Sequence, residues 1–323
     1  MRRRSGRLRT VACVLALALV ASACSVARRA DGTRPVPSTS PAPAVVPTVV
    51  APPQAEGLDG TAGAPGPQVC TAITRTLTAS LGVTVAANPA AWNDGGLPAL
   101  DLCTLLVDRR PVTIGVSALA RQSDSLDRLL AGAGSPEPLP ELGPEARIAE
   151  SRIVFPVGDR AVRITPAGGI DRSTATGLDR AKAVAIAVAT RDAVPKTLRN
   201  ARQSDAACQV SNSAAERFVG AHVQLRRDYR VGGALTCIWG TYDATVAIVE
   251  AFGQVTIPEA DRVPPPRLAP LGRPGYYLPD EGELVFRQGR RVVRVTGLTN
   301  PPREVSLETL LGIVDPLLPL FLR

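Results

Sequence analysis

Hydrophobic spacing along this chain switches from helical to strand period in the same order twice. In the first passage Cys70, Ile73, Leu77 and Leu81 recur at three- and four-residue steps, the spacing of one buried helix face, and Gly82 closes the segment. A strand around Cys103 and the alternating Val112, Ile114 and Val116 come next. Two β-branched runs then meet at Gly158, where glycine supplies the positive φ of a tight hairpin turn. Leu178 to Val194 reads as a helix ended by Pro195. In the second passage Ala214, Ala215, Phe218 and Val219 predict the first helix and Val246 and Ile248 the alternating strand. Leu307 to Leu318 predicts the last helix, interrupted at Pro316.

The recurrence extends to residue identity. Val154-Phe155-Pro156-Val157-Gly158-Asp159-Arg160-Ala161-Val162-Arg163-Ile164-Thr165 returns as Val285-Phe286-Arg287-Gln288-Gly289-Arg290-Arg291-Val292-Val293-Arg294-Val295-Thr296. Seven of the twelve positions (Val, Phe, Gly, Arg, Val, Arg, Thr) match without a gap. Leu142-Gly143 precedes one run as Leu271-Gly272 precedes the other. A period of roughly 130 residues is that of a tandem duplication, with residues 69–200 as the first repeat and 201–323 as the second. The predicted fold class is α+β: a duplicated, disulfide-stapled antiparallel sheet with helices packed on one face. Of the three pairings open to Cys70, Cys103, Cys208 and Cys237, the duplication selects Cys70 with Cys103 and Cys208 with Cys237. Each would close a loop of about 30 residues, worth ~3 to 4 kcal/mol in the chain-entropy account. These cysteines have no C-x-x-C spacing, so no metal site is expected.

Outside the two passages, the first residues carry an address. Arg2, Arg3, Arg4, Arg7 and Arg9 precede an apolar run from Val11 to Val20 and the small residues Ala21-Ser22-Ala23 before Cys24. A basic head, a short apolar stretch and small residues form a secretory signal peptide over 1–23, too short to span a bilayer. Cys24 at the cleavage point resembles a bacterial lipoprotein signal, whose sulfur is acylated and holds the mature protein on the outer face of the cell membrane. The same residues also fit an ordinary cleavage site that releases a protein beginning with cysteine. From 24 to 68 proline, alanine, valine and threonine dominate. Such chain is extended, and about 40 residues at ~3 Å each can tether a domain up to ~100 Å from a membrane.

The basic charge is mostly part of the address. Removing those five arginines from the formal +8 leaves +3, which gives no footprint for nucleic-acid binding. Catalysis finds little support either. The one histidine, His222, excludes any site needing two imidazoles and reads as a satisfied structural residue beside a helix end. No G-x-S-x-G, H-E-x-x-H or G-x-x-x-x-G-K-[ST] occurs, and no cofactor is expected. Arg163 and Arg294 hold equivalent strand positions and read as a matched, outward-facing and solvated pair. Asp280, Glu281 and Glu283 do not have calcium-loop spacing. Trp92 and Tyr276-Tyr277 are aromatics in loop-like settings. Copy one has an extra amphipathic segment, Ser125 to Leu130, before a loop where copy two has Pro264-Pro265-Pro266 and the tyrosines. Loops that diverge above a retained hairpin are where recognition changes, so Tyr276, Tyr277 and Arg294 are the candidate binding residues.

Taken together, the acylation signal, the proline-rich tether, a cysteine opening a helix, the Cys237-Ile238-Trp239 strand and the glycine hairpin resemble uncharacterised actinobacterial envelope lipoproteins. More distantly they resemble the extracellular sensor domain of mycobacterial receptor Ser/Thr kinases. Copy one departs from the pattern, with Leu105 in place of the tryptophan. The resemblance implies an exported, non-enzymatic binding or sensing module with an envelope ligand, small molecule or protein, and supplies no catalytic residue. The alternative expectation is a structural or accessory subunit of an envelope complex; a hydrolase built on His222 ranks behind both.

Overall fold

The computed structural model describes residues 54–55, 67–81, 85–88 and 99–322, except 108, 171–176, 198–199, 202–203, 221, 256–257, 259–263 and 272–273. The signal segment, Cys24, nearly all of the tether, Gly82, Trp92 and the side chain of Cys70 lie outside the described residues.

In chain order, β1 (Gln54–Ala55) and α1 (Pro67–Leu81) lead into β2 (Val85–Asn88), β3 (Leu100–Val107), β4 (Arg110–Ser117) and α2 (Ser125–Leu130). Strands β5 (Glu137–Pro138), β6 (Arg147–Ile148), β7 (Ile153–Val157) and β8 (Arg160–Pro166) and helix α3 (Arg180–Ala193) complete copy one. After β9 (Asn200–Ala201), which pairs with β1, copy two opens with α4 (Ala206–Gln209) and α5 (Asn212–Val219). Its strands are β10 (Leu225–Val231), β11 (Ala234–Gly240), β12 (Ala244–Phe252), β13 (Arg267–Leu268), β14 (Gly275–Leu278), β15 (Glu283–Gln288) and β16 (Arg291–Thr299). Helix α6 (Leu307–Val314) continues as a 3-10 stretch over Asp315–Leu322.

The duplication is written into both antiparallel sheets. One runs β2-β3-β4-β8-β7-β6-β5 and the other β10-β11-β12-β16-β15-β14-β13, the same order strand for strand. Register agrees as well: the row Cys103, Ile114, Ile164, Ile153 of the first sheet matches Cys237, Ile248, Val295, Leu284 of the second. The repeated hairpins turn on Gly158 and Gly289, at φ +61° and +62°. With a glycine first in a two-residue loop, the turn has the backbone twist that flanking strands require. Gly158 is doubly constrained, because a Cβ there would lie 1.9 Å from the Lys196 carbonyl oxygen.

Each sheet buries the face that the alternation marks as apolar. In copy one Ile73 and Leu77 of α1 and Ala183, Ile186 and Ala187 of α3 cover Cys103, Ile114, Phe155 and Ile164. In copy two Ala215, Val219, Leu310, Ile313 and Val314 cover Cys237, Trp239, Ile248 and Phe286. Leu317 and Phe321 join that core, so the apolar C-terminal run is interior. The Asp179 carboxylate accepts from the backbone N–H of Ala181 and Lys182 at the start of α3, and Ser306 caps α6 by accepting from Thr309 N–H. A disulfide joins the fully buried Cys208 and Cys237 across a Cα separation of 5.6 Å, tying α4 to β11. Cys103, at the matching register of β3, is disulfide-bonded too.

The copies form one compact unit over 50–323. The back of β10–β12, opposite the helices, packs Leu225, Ile238 and Ala247 against Ala99, Ala118 and Leu119 of copy one. At the centre of this seam the Arg227 guanidinium donates to both carboxylate oxygens of Asp101, and neither side chain is exposed to solvent. Ala99 N–H donates to Thr245 Oγ1 at 2.8 Å, and Arg128 reaches Asp243 at 2.6 Å. The segment Ser125–Leu130, read as an extra amphipathic piece, is α2. It lies on the back of copy one's sheet, where Leu129 packs on Leu100, Val154 and Ala161.

This cover overturns the expectation of two matched outward arginines. Arg163 is buried, and burial pushes its guanidinium pKa down to about 10. Arg294, at the same ladder position opposite Val285 as Arg163 is opposite Val154, stays half exposed and pairs with Glu283. The placement of Tyr276-Tyr277 in a loop is also corrected. Both lie on β14, where alternation sends them to opposite faces: Tyr276 is half-buried on the back, while Tyr277 enters the core and donates to Val305 O at 2.6 Å. Burial raises the Tyr277 pKa, with the Glu304 charge adding to it.

Candidate functional site

The helical layers of the two copies differ, and a groove results. Helix α1 is unbroken over 15 residues, whereas its counterpart is split into α4 and α5 around Val210 and Ser211, with Ser211 Oγ donating to Ile313 O at 2.7 Å. Helix α3 has 14 residues, but α6 has 8 before Pro316 and Pro319 tighten the chain into a 3-10 path. Between α5, α6 and the linker from Thr299 to Ser306 lies a concave space of about 570 Å³.

Helical spacing on α5 brings Ala214, Arg217 and Phe218 to one wall, while Glu308, Thr309, Gly312 and Ile313 of α6 form the other. Gly312 meets no atom within 4 Å of the position a Cβ would take, which leaves that wall open. The apolar part is Phe218, Val305 and Ile313, with Val305 held by the Tyr277 hydroxyl beneath it. Phe218 in turn approaches Gly297, where a Cβ would lie 3.0 Å from the ring. Polar groups converge at the rim: Arg217 and Arg303 as cations, Glu304 and Glu308 as anions, and the Thr299 and Ser306 hydroxyls. Neither the Arg217 nor the Arg303 side chain is held in an ion pair among the described residues. An apolar floor with a few convergent polar groups, at a volume in the ~300 to 1,000 Å³ range, is the make-up of a small-molecule site.

The structure separates the residues expected to bind. Tyr276 and Arg294 share the back face, in a row that runs Leu268, Tyr276, Val285, Arg294 across β13 to β16, and Tyr277 is absent from that row. Leu268 in the same row is 80% exposed. Of the acidic trio, Glu283 is buried beneath Arg294 and Thr296, and Asp280 and Glu281 lie in the β14–β15 turn. His222, expected to be a satisfied structural residue, is exposed just past the end of α5, and among the described residues no hydrogen bond or ion pair engages it. Cys208, Cys237 and Asp228 are close enough to suggest metal ligands, but the two sulfurs are bonded to each other. Asp228 instead pairs with Arg226, whose guanidinium lies 4.4 Å over the Trp239 ring. Burial raises the Asp228 pKa despite that partner. The sequence reading missed the groove; its one local signal is the Ala214, Arg217, Phe218 spacing, which places a cation on the apolar stripe of a helix. Compared with protein-family models, curated proteins and solved structures, the chain matches none of them.

Proposed function

We propose that this chain is a lipid-anchored extracytoplasmic binding or sensing protein of the cell envelope, without enzymatic activity, that takes its ligand in the α5–α6 groove of copy two. The observation that carries this reading is the convergence of Arg217 and Arg303, neither in an ion pair among the described residues, on an apolar floor of Phe218, Val305 and Ile313. Cys24 supports the location, and among the described residues no hydrogen bond or ion pair engages His222, so no His-activated nucleophile is seen there. To test it, the chain and its Arg217→Ala/Arg303→Ala variant are solubilised from native membranes, and co-purified small molecules are compared by mass spectrometry. A compound retained by the parent and lost from the folded variant is expected; identical profiles would reject the groove.

A second reading, an accessory subunit of an envelope complex, is favoured by the row Leu268, Tyr276, Arg294 on the back of copy two, where an 80% exposed leucine stands beside a half-buried tyrosine and a half-exposed arginine.

A further inference from the structure

Sheet two is polarised from end to end. Strand directions bring the β10–β11 turn, the end of β12 and the β15–β16 turn together at one end. There Val231 is 66% and Phe252 62% exposed. Around them stand Arg230, Arg287, Arg290 and Arg291, with Arg291 5.1 Å over the Phe252 ring and Arg291 and Arg230 both donating to Gly233 O. The two carboxylates beside them are committed, Glu250 to Arg291 and Asp205 to Arg230. Among the described residues Arg287 and Arg290 face no carboxylate within ion-pair distance. At the opposite end Asp243 of the β11–β12 turn pairs with Arg128, and the β14–β15 turn carries Asp280 and Glu281.

From this arrangement we infer that the Val231/Phe252 end of copy two docks on an anionic membrane surface. Val231 ends β10 and Phe252 ends β12, and alternation sends them to opposite sheet faces, so they project as separate points and not as one flat patch for a folded partner. Neighbouring strands lie ~4.8 Å apart, so the five strands from β10 to β15 spread the tips over ~20 Å, a footprint that a soft lipid interface can fill. Two exposed apolar residues ringed by arginine are the chemistry of interfacial insertion, in which apolar burial and attraction to acidic headgroups act together. Anchoring at residue 24 and docking at the tip would bring the tethered domain down to the bilayer instead of leaving it at the limit of its reach.

The test uses the full chain carrying Cys24→Ala, so that no acyl chain contributes, in sedimentation with vesicles. Vesicles of equal parts phosphatidylglycerol and phosphatidylcholine are compared with phosphatidylcholine alone. Binding to the anionic vesicles alone is expected, falling as salt shortens the screening length from ~10 Å toward ~3 Å. At about five-fold per arginine, Arg287→Gln/Arg290→Gln should weaken partitioning by an order of magnitude or more. Val231→Ser/Phe252→Ser should also weaken it, whereas Leu268→Ser, more exposed still but away from the tip, should leave it unchanged. Val231, Phe252, Leu268 and Arg290 are exposed and Arg287 is half-buried, and matching thermal melts establish that the variants fold. Equal binding to both vesicle types, an unaffected tip variant, or an equal loss in Leu268→Ser would overturn the inference. So would capture by a soluble polyanion without capture by vesicles.

Discussion

Copy one covers the back of its sheet with α2, whereas copy two covers the back of β10–β12 with the seam and leaves Leu268 and Arg294 of β13 and β16 open, although strand order and register are the same in both. The clearest measure is one residue in two settings. Arg163 is 5% exposed, with α2 packed on its ladder neighbour Val154, whereas the Arg294 side chain is 52% exposed and shares its charge with Glu283. Local sequence around the two is nearly the same, so what differs is what lies above them. Duplication preserved the ladder and the helix-bearing core, and divergence acted on the reverse face and on the helix ends. Copy one became the buttress and copy two the surface.

If the seam is what makes the copies one body, breaking its centre should have the largest effect. Asp101→Ala leaves the Arg227 guanidinium buried without its carboxylate, and a loss of about 3 to 5 kcal/mol in denaturant unfolding is expected. Asp101→Leu/Arg227→Met should recover much of it, since a buried pair is weak evidence for net stability when an apolar pair can take its place. A double variant as unstable as the single one would show that the pair itself, and not the orphaned charge, holds the copies together.

Cover is the next point to break. Leu129→Ala removes the residue by which α2 seals copy one, at about 2 kcal/mol or more, while Leu268→Ala on the open face of copy two should stay within ~0.5 kcal/mol. Similar costs at the two sites would mean that the back of copy two is covered after all.

The smallest effect is electrostatic and belongs to copy two alone. Burial favours protonation of Asp205, but the Arg230 hydrogen bond, the Ala207 N–H and the Arg230 charge outweigh it and hold the carboxyl below its ordinary 3.8. A depressed acid adds stability above its unfolded pKa and loses it as pH falls through the folded value. Asp205→Asn keeps a good N-cap for α4 and removes the charge. The melting-temperature gap between parent and variant should be present at about pH 7 and shrink as pH falls below the ordinary 3.8. A constant gap would assign the effect to capping.

How much of this was legible in the residues follows from the range of each interaction. Helices, strands and hairpins depend on neighbours, and Leu178 to Val194 falls on α3, Val112 to Val116 on β4, and the Pro316 interruption on the end of α6. The cysteine pairing in copy two was legible because duplication supplied a second example. Burial of Arg163 was not, since it depends on what covers the back of the sheet, where α2 packs on its ladder neighbour Val154. Nor was the seam, because Asp101 and Arg227 are 126 positions apart and each reads as a surface charge. Tyr277 was misplaced for a subtler reason: β14 is four residues long, too short for alternation to declare itself, and Pro274 and Gly275 imitate a turn. The groove needed the relative lengths of helices that only packing reveals.

The Asp101–Arg227 pair also sets a timetable. At ~5 to 20 residues per second, the 126 positions between them separate their synthesis by roughly 6 to 25 seconds. Throughout that interval copy one presents a carboxylate and an apolar corner whose partners do not yet exist. Copy one is therefore incomplete at its seam on its own, and its maturation ends when the second half of the chain arrives.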